Sequence, residues 1–240
     1  MSPMQFAKLP QNSESDVIRA CAESFEKKKF TRFLKRVGDI FVSLVLLLLL
    51  SPVLLILSVW IALDSSGGVL FRQERVGRYG KPFTILKFRT MRPNNSGSQI
   101  TLGDDDRITK VGRFIRSLRL DEFPQLINVL RGDMSLVGPR PEVKKFVDKY
   151  STDELATLLV RPGVTCRSSI AFANEADILP KDDTAEDYYI ERILPAKCSM
   201  NIEYVEKLSV VEDVAIIFAT VFSVLKQDSG VKNDGEDLNS

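Results

Sequence analysis

IFVSLVLLLLLSPVLLILSVWIAL, residues 40–63, is a run of 24 residues without a charge, bounded by Asp39 and Asp64. At about 1.5 Å per residue a straight helix of that length reaches roughly 36 Å, enough to cross a hydrocarbon core of about 30 Å. Ser51 and Pro52 fall at its midpoint. Pro52 cannot donate to the carbonyl of Leu48 and clashes with it, a penalty of about 3 kcal/mol in a helix interior. A sharp bend is therefore expected there, with the Ser51 hydroxyl available to a freed carbonyl. Each half is about 18 Å long, too short to cross alone.

Charge on the flanks bears on whether the chain crosses or turns back. Upstream stand Lys27, Lys28, Lys29, Arg32, Lys35 and Arg36, with Glu26 as the close acid. Downstream stand Arg72, Arg75, Arg78, Lys81, Lys87, Arg89 and Arg92 against Glu74. Positive segments favour the cytoplasmic side, so a basic excess at both ends predicts that both stay there and that the run is a re-entrant hairpin. A kinked single span is the competing reading, because proline is common in membrane helices. The run starts late, is long and lacks a small-residue cleavage site, which argues against a secretory signal.

About 175 residues follow the run, enough for one compact domain with its own core. The net charge is only +1, but basic residues gather around the run and in 107–119, whereas the tail after Gln227 is acidic and polar and reads as disordered. Cys21, Cys166 and Cys198 are odd in number and widely spaced, without disulfide framework or zinc spacing, which fits a reducing compartment. The chain has no histidine. Ser-His-Asp catalysis and histidine-ligated metals are thereby excluded, and acid, base and metal-ligand roles fall mainly to carboxylates. No Gly-rich dinucleotide fingerprint is present.

Residues 116–142, RSLRLDEFPQLINVLRGDMSLVGPRPE, carry the strongest functional signal. The adjacent acids Asp121 and Glu122 lie between arginines and a Pro-Arg-Pro turn. Such a set suits phosphoryl transfer, in which one acid attacks phosphorus, another holds a metal and arginines neutralise oxygens. An acid pair on a solvated helix surface is the plain alternative. Upstream, Ile108, Val111, Ile115 and Leu118 form one helical stripe and Lys110, Arg113, Arg116 and Arg119 a neighbouring one, joined by Arg107. This basic helix suits an anionic membrane surface or a phosphate-bearing ligand; nucleic acid is the weaker reading, since no wider basic excess accompanies it. Pro124 opens a short apolar helix closing near Gly132, which puts Asp121 just before a first turn whose free N–H groups attract anions. Two prolines stiffen residues 137–141 and hold Arg140 out.

Elsewhere, residues 1–15 are polar and loose, and 16–30 suggest an amphipathic helix on the membrane interface. Residues 69–73 and 82–88 read as two strands of a hairpin carrying Lys87 and followed by Arg89. Asp104, Asp105 and Asp106 lack calcium-loop spacing and suit capping of the basic helix. Residues 201–225 read as one final amphipathic helix with Val211, Val214, Phe218, Phe222 and Leu225 along one stripe, packed on the domain or lying on the membrane.

The combination of Lys35-Arg36 with Asp39, Ser51-Pro52, Lys87-Phe88-Arg89, Arg107-Ile108-Thr109 with Gly112 and Arg116, Leu120-Asp121-Glu122, Pro124-Gln125-Leu126 and Val137-Gly138-Pro139-Arg140-Pro141-Glu142 resembles the bacterial sugar transferase family, the monotopic phosphoglycosyl transferases, over about residues 32–226. The small single-domain form is the better match. The resemblance implies an α+β fold: a membrane-embedded re-entrant helix-break-helix hairpin plus a small cytosolic domain of amphipathic helices around a short sheet. Boundaries follow as an N-terminal extension (1–31), the hairpin (32–66), a catalytic domain (67–226) and an acidic tail (227–240). It implies transfer of a sugar 1-phosphate from a UDP-sugar to undecaprenyl phosphate, with UMP released, at the cytoplasmic face of the bacterial inner membrane.

By matched position, Asp121 would be the nucleophile, Glu122 a Mg2+ ligand and base, Arg116, Arg140, Lys87 and Arg89 phosphate or nucleotide contacts, Ser51 and Pro52 the bend, and Lys35 and Arg36 headgroup anchors. A homo-oligomer and downstream glycosyltransferases are further partners the resemblance allows, and a non-catalytic membrane scaffold is the alternative function. After Arg161-Pro162-Gly163-Val164-Thr165 the chain has Cys166-Arg167-Ser168-Ser169 where many members have Gly, a bulky residue, Ala and Gln, which bears on sugar choice. Asp213 matches a family acid with a catalytic and a structural reading both open.

Overall fold

The computed structural model describes residues 15–92, 107–180 and 182–230. The expectations for the first 14 residues, for Asp104, Asp105 and Asp106, and for the tail from 231 lie outside the described residues. Helix α1 (Asp16–Lys27) begins at Ser15, whose side chain accepts from the Ile18 amide, with Asp16 in the first turn. Its Ile18, Cys21, Ala22 and Phe25 are buried in a core with Ala156, Leu158, Leu159, Val160, Tyr204 and Val205. Protein, not lipid, covers its apolar face, which corrects the interfacial placement expected for residues 16–30.

Helix α2 (Lys29–Asp64) is one helix of 36 residues, about 54 Å long. It continues through Pro52, where the sequence suggests a helix-break-helix hairpin. The local reason is the Ser51 hydroxyl, which donates to Leu48 O at 2.8 Å. That carbonyl is the one Pro52 leaves without a donor, so the turn stays satisfied. Among the described residues α2 is the helix long and apolar enough to cross a membrane. Leu48, Leu49, Leu55 and Ile56 are exposed.

Strands β1 (Leu70–Val76) and β2 (Pro82–Phe88) pair antiparallel with Leu70 opposite Phe88 and Val76 opposite Pro82, as the alternation predicts. Helix α3 (Lys110–Ser117) starts at Thr109, whose side chain accepts from the Gly112 amide. Gly112 lets α3 lie against the end of β2, because a Cβ there would sit 2.1 Å from Thr90 O. Val111 and Ile115 then bury with Phe88, Leu57 and Ile61, which fastens the end of α2 to the sheet. Helix α4 (Gln125–Arg131) ends at Gly132 in the left-handed region, φ 91°, the cap expected of that glycine.

A second, parallel pair, β3 (Ser135–Val137) with β4 (Gly163–Thr165), is not legible in the sequence. Gly138 and Gly163 cross with backbones in contact; a Cβ on Gly163 would lie 2.1 Å from Gly138 N. Helices α5 (Arg167–Ala171), α6 (Leu194–Lys207) and α7 (Val210–Gly230) follow, with shorter helical segments among them and before α5. The single final helix expected over 201–225 is thus two. Leu208 leaves helical geometry, and Ser209 Oγ accepts from the Glu212 amide to start α7. Asp213 and Ile216 of α7 are buried, while Val211, Val214, Phe218, Phe222 and Leu225 are exposed. The architecture is mostly helical with two small sheets.

The N-terminal part of α2 is rooted in this domain. Lys35 Nζ donates to Val137 O at 2.9 Å and pairs with Asp213 at 2.6 Å. Arg36 donates to Val129 O (2.7 Å), which also accepts from the Gly132 amide (3.0 Å), and to Leu130 O (3.1 Å), both at the C-terminal end of α4. Asp39 accepts from Ser135 Oγ (2.8 Å) and the Leu136 amide (3.2 Å). Lys35 and Arg36 therefore hold α2 to protein, whereas the sequence suggests headgroup contacts for them. Asp213 also accepts from Tyr204 OH at 2.6 Å, so its place here is structural.

Candidate active site

Asp121 and Glu122 lie on a single 3-10 turn, Leu120–Glu122, between α3 and α4. Three neighbours fix that turn. Helix α3 is set by the Gly112 contact with Thr90. Helix α4 is tied to β2 through Asn128, whose Nδ2 donates to Thr84 O (2.8 Å) and whose Oδ1 accepts from the Leu86 amide (3.1 Å). Strand β2 therefore delivers Lys87 to the acids, since alternate residues of a strand share a face.

Glu122 is clamped. Its Oε1 accepts from Lys87 Nζ at 2.8 Å and from Arg140 Nη2 at 2.7 Å, while Oε2 lies 3.5 Å from Arg140 Nη1. Burial alone would push this carboxyl up, but Arg140, followed by Lys87, overrides it and holds Glu122 well below the usual carboxylate range. Asp121 has the opposite environment. Burial, followed by the adjacent Glu122 charge, pushes it up, and the opposing pull of Lys87, Arg116 and Arg140 does not cancel them. No hydrogen bond to its oxygens is made among the described residues. A half-buried carboxylate with cations nearby and free lone pairs can act as a nucleophile toward a phosphoryl group.

Arg140 is held from behind. Pro139 and Pro141 restrict the backbone, Arg75 donates to Pro141 O at 3.2 Å, and Glu142 accepts from Tyr189 OH at 2.9 Å and pairs with Arg75 at 3.7 Å. Of the residues singled out in the sequence, Asp121, Glu122, Lys87, Arg116 and Arg140 come together. Arg89 does not join them. Its guanidinium donates to Ser66 O (3.0 Å), Ser65 O (2.7 Å) and Ile61 O (3.4 Å), closing the C-terminal end of α2. Where the sequence suggests a phosphate contact, the structure places Arg89 on carbonyls at the end of α2, because β2 has ended and the chain there turns toward α2.

Sequence reasoning missed Arg75, Asn128 and Tyr189 as supports of the site. The available signal was polar residues inside apolar stretches, as Asn128 is between Leu126 and Val129. Gln125, directly after Pro124, is buried with its Nε2 unpaired, a second feature visible only in three dimensions. Among the described residues no cluster of three Asp, Glu, Cys or His side chains forms a metal cage. The acid pair offers at most two carboxylates.

The chain belongs to the bacterial sugar transferase family: the model described as Bacterial sugar transferase matches residues 30–227. Its relatives include a UDP-N-acetylgalactosamine-undecaprenyl-phosphate N-acetylgalactosaminephosphotransferase of Aeromonas hydrophila, 39% identical over 198 residues, 80% of this chain and 44% of that protein. UDP-glucose:undecaprenyl-phosphate glucose-1-phosphate transferases of Caulobacter vibrioides and Escherichia coli are 38% and 39% identical over 81% and 80% of this chain. The chain spans 71% of the Caulobacter protein and 40% of the Escherichia coli one.

Proposed function

We propose that the protein transfers a sugar 1-phosphate from a UDP-sugar to undecaprenyl phosphate, as a first membrane step of surface glycan assembly. The observation that carries this reading is the half-buried Asp121, without a hydrogen bond among the described residues, beside a clamped Glu122 in a cationic pocket. The activities for which the relatives are named supply the substrate class. An oxygen of Asp121 attacks the β-phosphorus of the donor, and the bond from that phosphorus to the bridging oxygen breaks, so UMP leaves with the electron pair. An acceptor phosphate oxygen then attacks the same phosphorus. The bond to Asp121 breaks, its carboxylate is restored, and a lipid diphosphate sugar is formed. Splitting the transfer lets two anionic substrates use one pocket in turn. Arg116, Lys87 and Arg140 neutralise phosphate oxygens in each step.

Magnesium fits this donor set. It favours one or two carboxylates completed by phosphate oxygens and waters, and Oε2 of Glu122, weakly engaged at 3.5 Å, is the oxygen suited to it. When bound it would supply charge neutralisation at the diphosphate.

Insertion of α2 from one face is part of the proposal. Ser43 and Leu57 are both buried in the protein, and the helix between them is about 21 Å long, short of a hydrocarbon core of about 30 Å. Basic residues on both flanks support the cytoplasmic face of the inner membrane. The exposed apolar stripe of α7 supplies a second membrane contact.

The test is UMP release by detergent-solubilised protein given undecaprenyl phosphate and single UDP-sugars. Release from one donor, lost on magnesium chelation and in Asp121→Asn, is the expected result. Folded, membrane-bound protein silent across a broad donor panel would favour a scaffold.

A further inference from the structure

Tyr189 is the first residue of a five-residue π turn, Tyr189–Ile193, that leads into α6. Turns of this kind are wider than an α turn and gather at functional sites. Tyr189 and Ile193 are both buried, and the ring of Tyr189 packs on Phe146 with centroids 4.9 Å apart. Lys197 covers the ring, its Nζ 4.9 Å from the centroid and 3.5 Å from the phenolic oxygen, and is itself paired with Glu175. A cation beside that oxygen leaves the hydroxyl to act as a donor, and it donates to Glu142 Oε1 at 2.9 Å.

Glu142 needs that donor. It follows Arg140 by two residues, its backbone carbonyl accepts from the Val76 amide at 2.9 Å, and its side chain is buried. It is thereby fixed near Arg140, and a buried carboxylate requires partners. Arg75 serves it weakly. Its Nε and Nη2 donate to Gln73 Oε1 (3.1 and 2.7 Å), its Nη1 donates to Pro141 O (3.2 Å), and its ion pair with Glu142 is long, 3.7 Å. Among the described residues the Tyr189 hydroxyl makes the shortest side-chain contact to Glu142. Two carboxylates therefore act on Arg140. Glu122 is bonded to it and raises its guanidinium most, burial opposes that rise, and Glu142 adds to it.

We propose that Tyr189 is a positioning residue for the transfer: by holding Glu142, its hydroxyl leaves the Arg140 guanidinium to Glu122 and to the diphosphate of the donor. The inference rests on the transfer reading above, in which Arg140 neutralises phosphate oxygens. Without the hydroxyl, Glu142 keeps its charge and loses its nearest donor, and the Arg140 guanidinium is the neighbouring cation able to replace it. Two carboxylates then share one guanidinium, so the donor phosphates meet less positive charge. Tyr189 acts only through Glu142.

Tyr189→Phe is the informative variant, because phenylalanine keeps the ring against Phe146 and Lys197 and deletes the hydroxyl alone. For the full chain in detergent with magnesium, kcat/KM for the UDP-sugar is expected to fall by about tenfold to a hundredfold, with a raised KM for that donor. The decisive comparison is made in a Glu142→Gln background, where no charge competes for Arg140. There, adding Tyr189→Phe should alter kcat/KM by less than about threefold. A hydroxyl that merely packs the core gives equal losses in both backgrounds, and that result overturns the proposal. So does a Tyr189→Phe protein with wild-type kcat/KM, and so does a loss confined to kcat with an unchanged donor KM, which marks a smaller folded fraction rather than a weakened phosphate contact. A calorimetric arm does not depend on turnover: UDP binding should weaken by about tenfold in Tyr189→Phe, and by less than about threefold when the same change is made in Glu142→Gln protein. Equal UDP affinity in wild type and Tyr189→Phe refutes the positioning role. Wild-type protein that binds UDP with this dependence on Tyr189 but releases no UMP from any donor would sink the transfer reading alone, and wild-type protein that binds no UDP would overturn both.

Discussion

Two regions of the molecule bury carboxylates against cations, and they do so to opposite ends. At the root of α2, Asp213 accepts from Lys35 Nζ and Tyr204 OH, and Asp39 accepts from Ser135 Oγ and the Leu136 amide. At the turn Leu120–Glu122, cations exceed acids: Lys87, Arg116 and Arg140 surround Asp121 and Glu122, yet Glu122 takes the bonds and Asp121 is left without one. A satisfied buried network fixes structure, whereas a partly satisfied one stores affinity for something absent. On this contrast the α2 root is an anchor and the acid turn is a site.

The largest expected effect breaks the acid turn. Asp121→Asn is predicted to lower turnover by more than about 1000-fold, since a carboxamide cannot replace the nucleophile. The same change should leave the thermal midpoint unchanged or raised, because the carboxylate removed is half-buried, partly desolvated and without a hydrogen bond among the described residues. Steady-state UMP release and thermal unfolding in detergent check both halves. A variant that loses both activity and fold would mean that Asp121 is a structural acid like Asp213.

Breaking the root should invert that pattern. Lys35→Ala leaves Asp213 buried without its cation and is predicted to destabilise the protein by about 3 kcal/mol. For a chain of this size that lowers the midpoint by about 6–12 °C. At a temperature where the variant remains folded, turnover should fall by less than about tenfold. A Lys35→Ala protein with wild-type stability and a 1000-fold loss of turnover would move Lys35 into the site.

The contrast also explains how much could be read in advance. The acid pair, its flanking arginines, Lys87 beside the sheet hairpin and the capped helix at residues 125–131 were legible because each rests on local spacing. Arg89 and Arg36 were not, because both lie in basic stretches where sequence offers no way to tell a phosphate ligand from a cation closing a helix end. Their acceptors are carbonyls of Ile61, Ser65 and Ser66 for one and of Val129 and Leu130 for the other. Backbone carbonyls leave no mark on residue identity. The pairing of β3 with β4 was hidden for a similar reason: three-residue strands carry no periodicity, and the Gly138–Gly163 crossing joins segments 25 residues apart.

Lowering the pH should separate the two acids of the dyad. Asp121 is raised, so in the folded protein it takes up a proton at a higher pH than an ordinary aspartate, and its burial opposes folding once the pH exceeds the unfolded value of 3.8. Glu122 is depressed. Its contribution to stability is fully present above the unfolded value of 4.5 and is lost only as pH falls through the lower folded value. On acidification kcat/KM should therefore decline before the fold does, with a single-proton limb above the ordinary aspartate range, while thermal midpoints still reflect an ionised Glu122. Glu122→Gln should reverse the order of loss, leaving Lys87 and Arg140 clamped around a neutral amide and weakening the fold at neutral pH. Coincident acid loss of activity and structure in the wild type would place both carboxyls in one shared environment and remove the distinction between anchor and site at this turn.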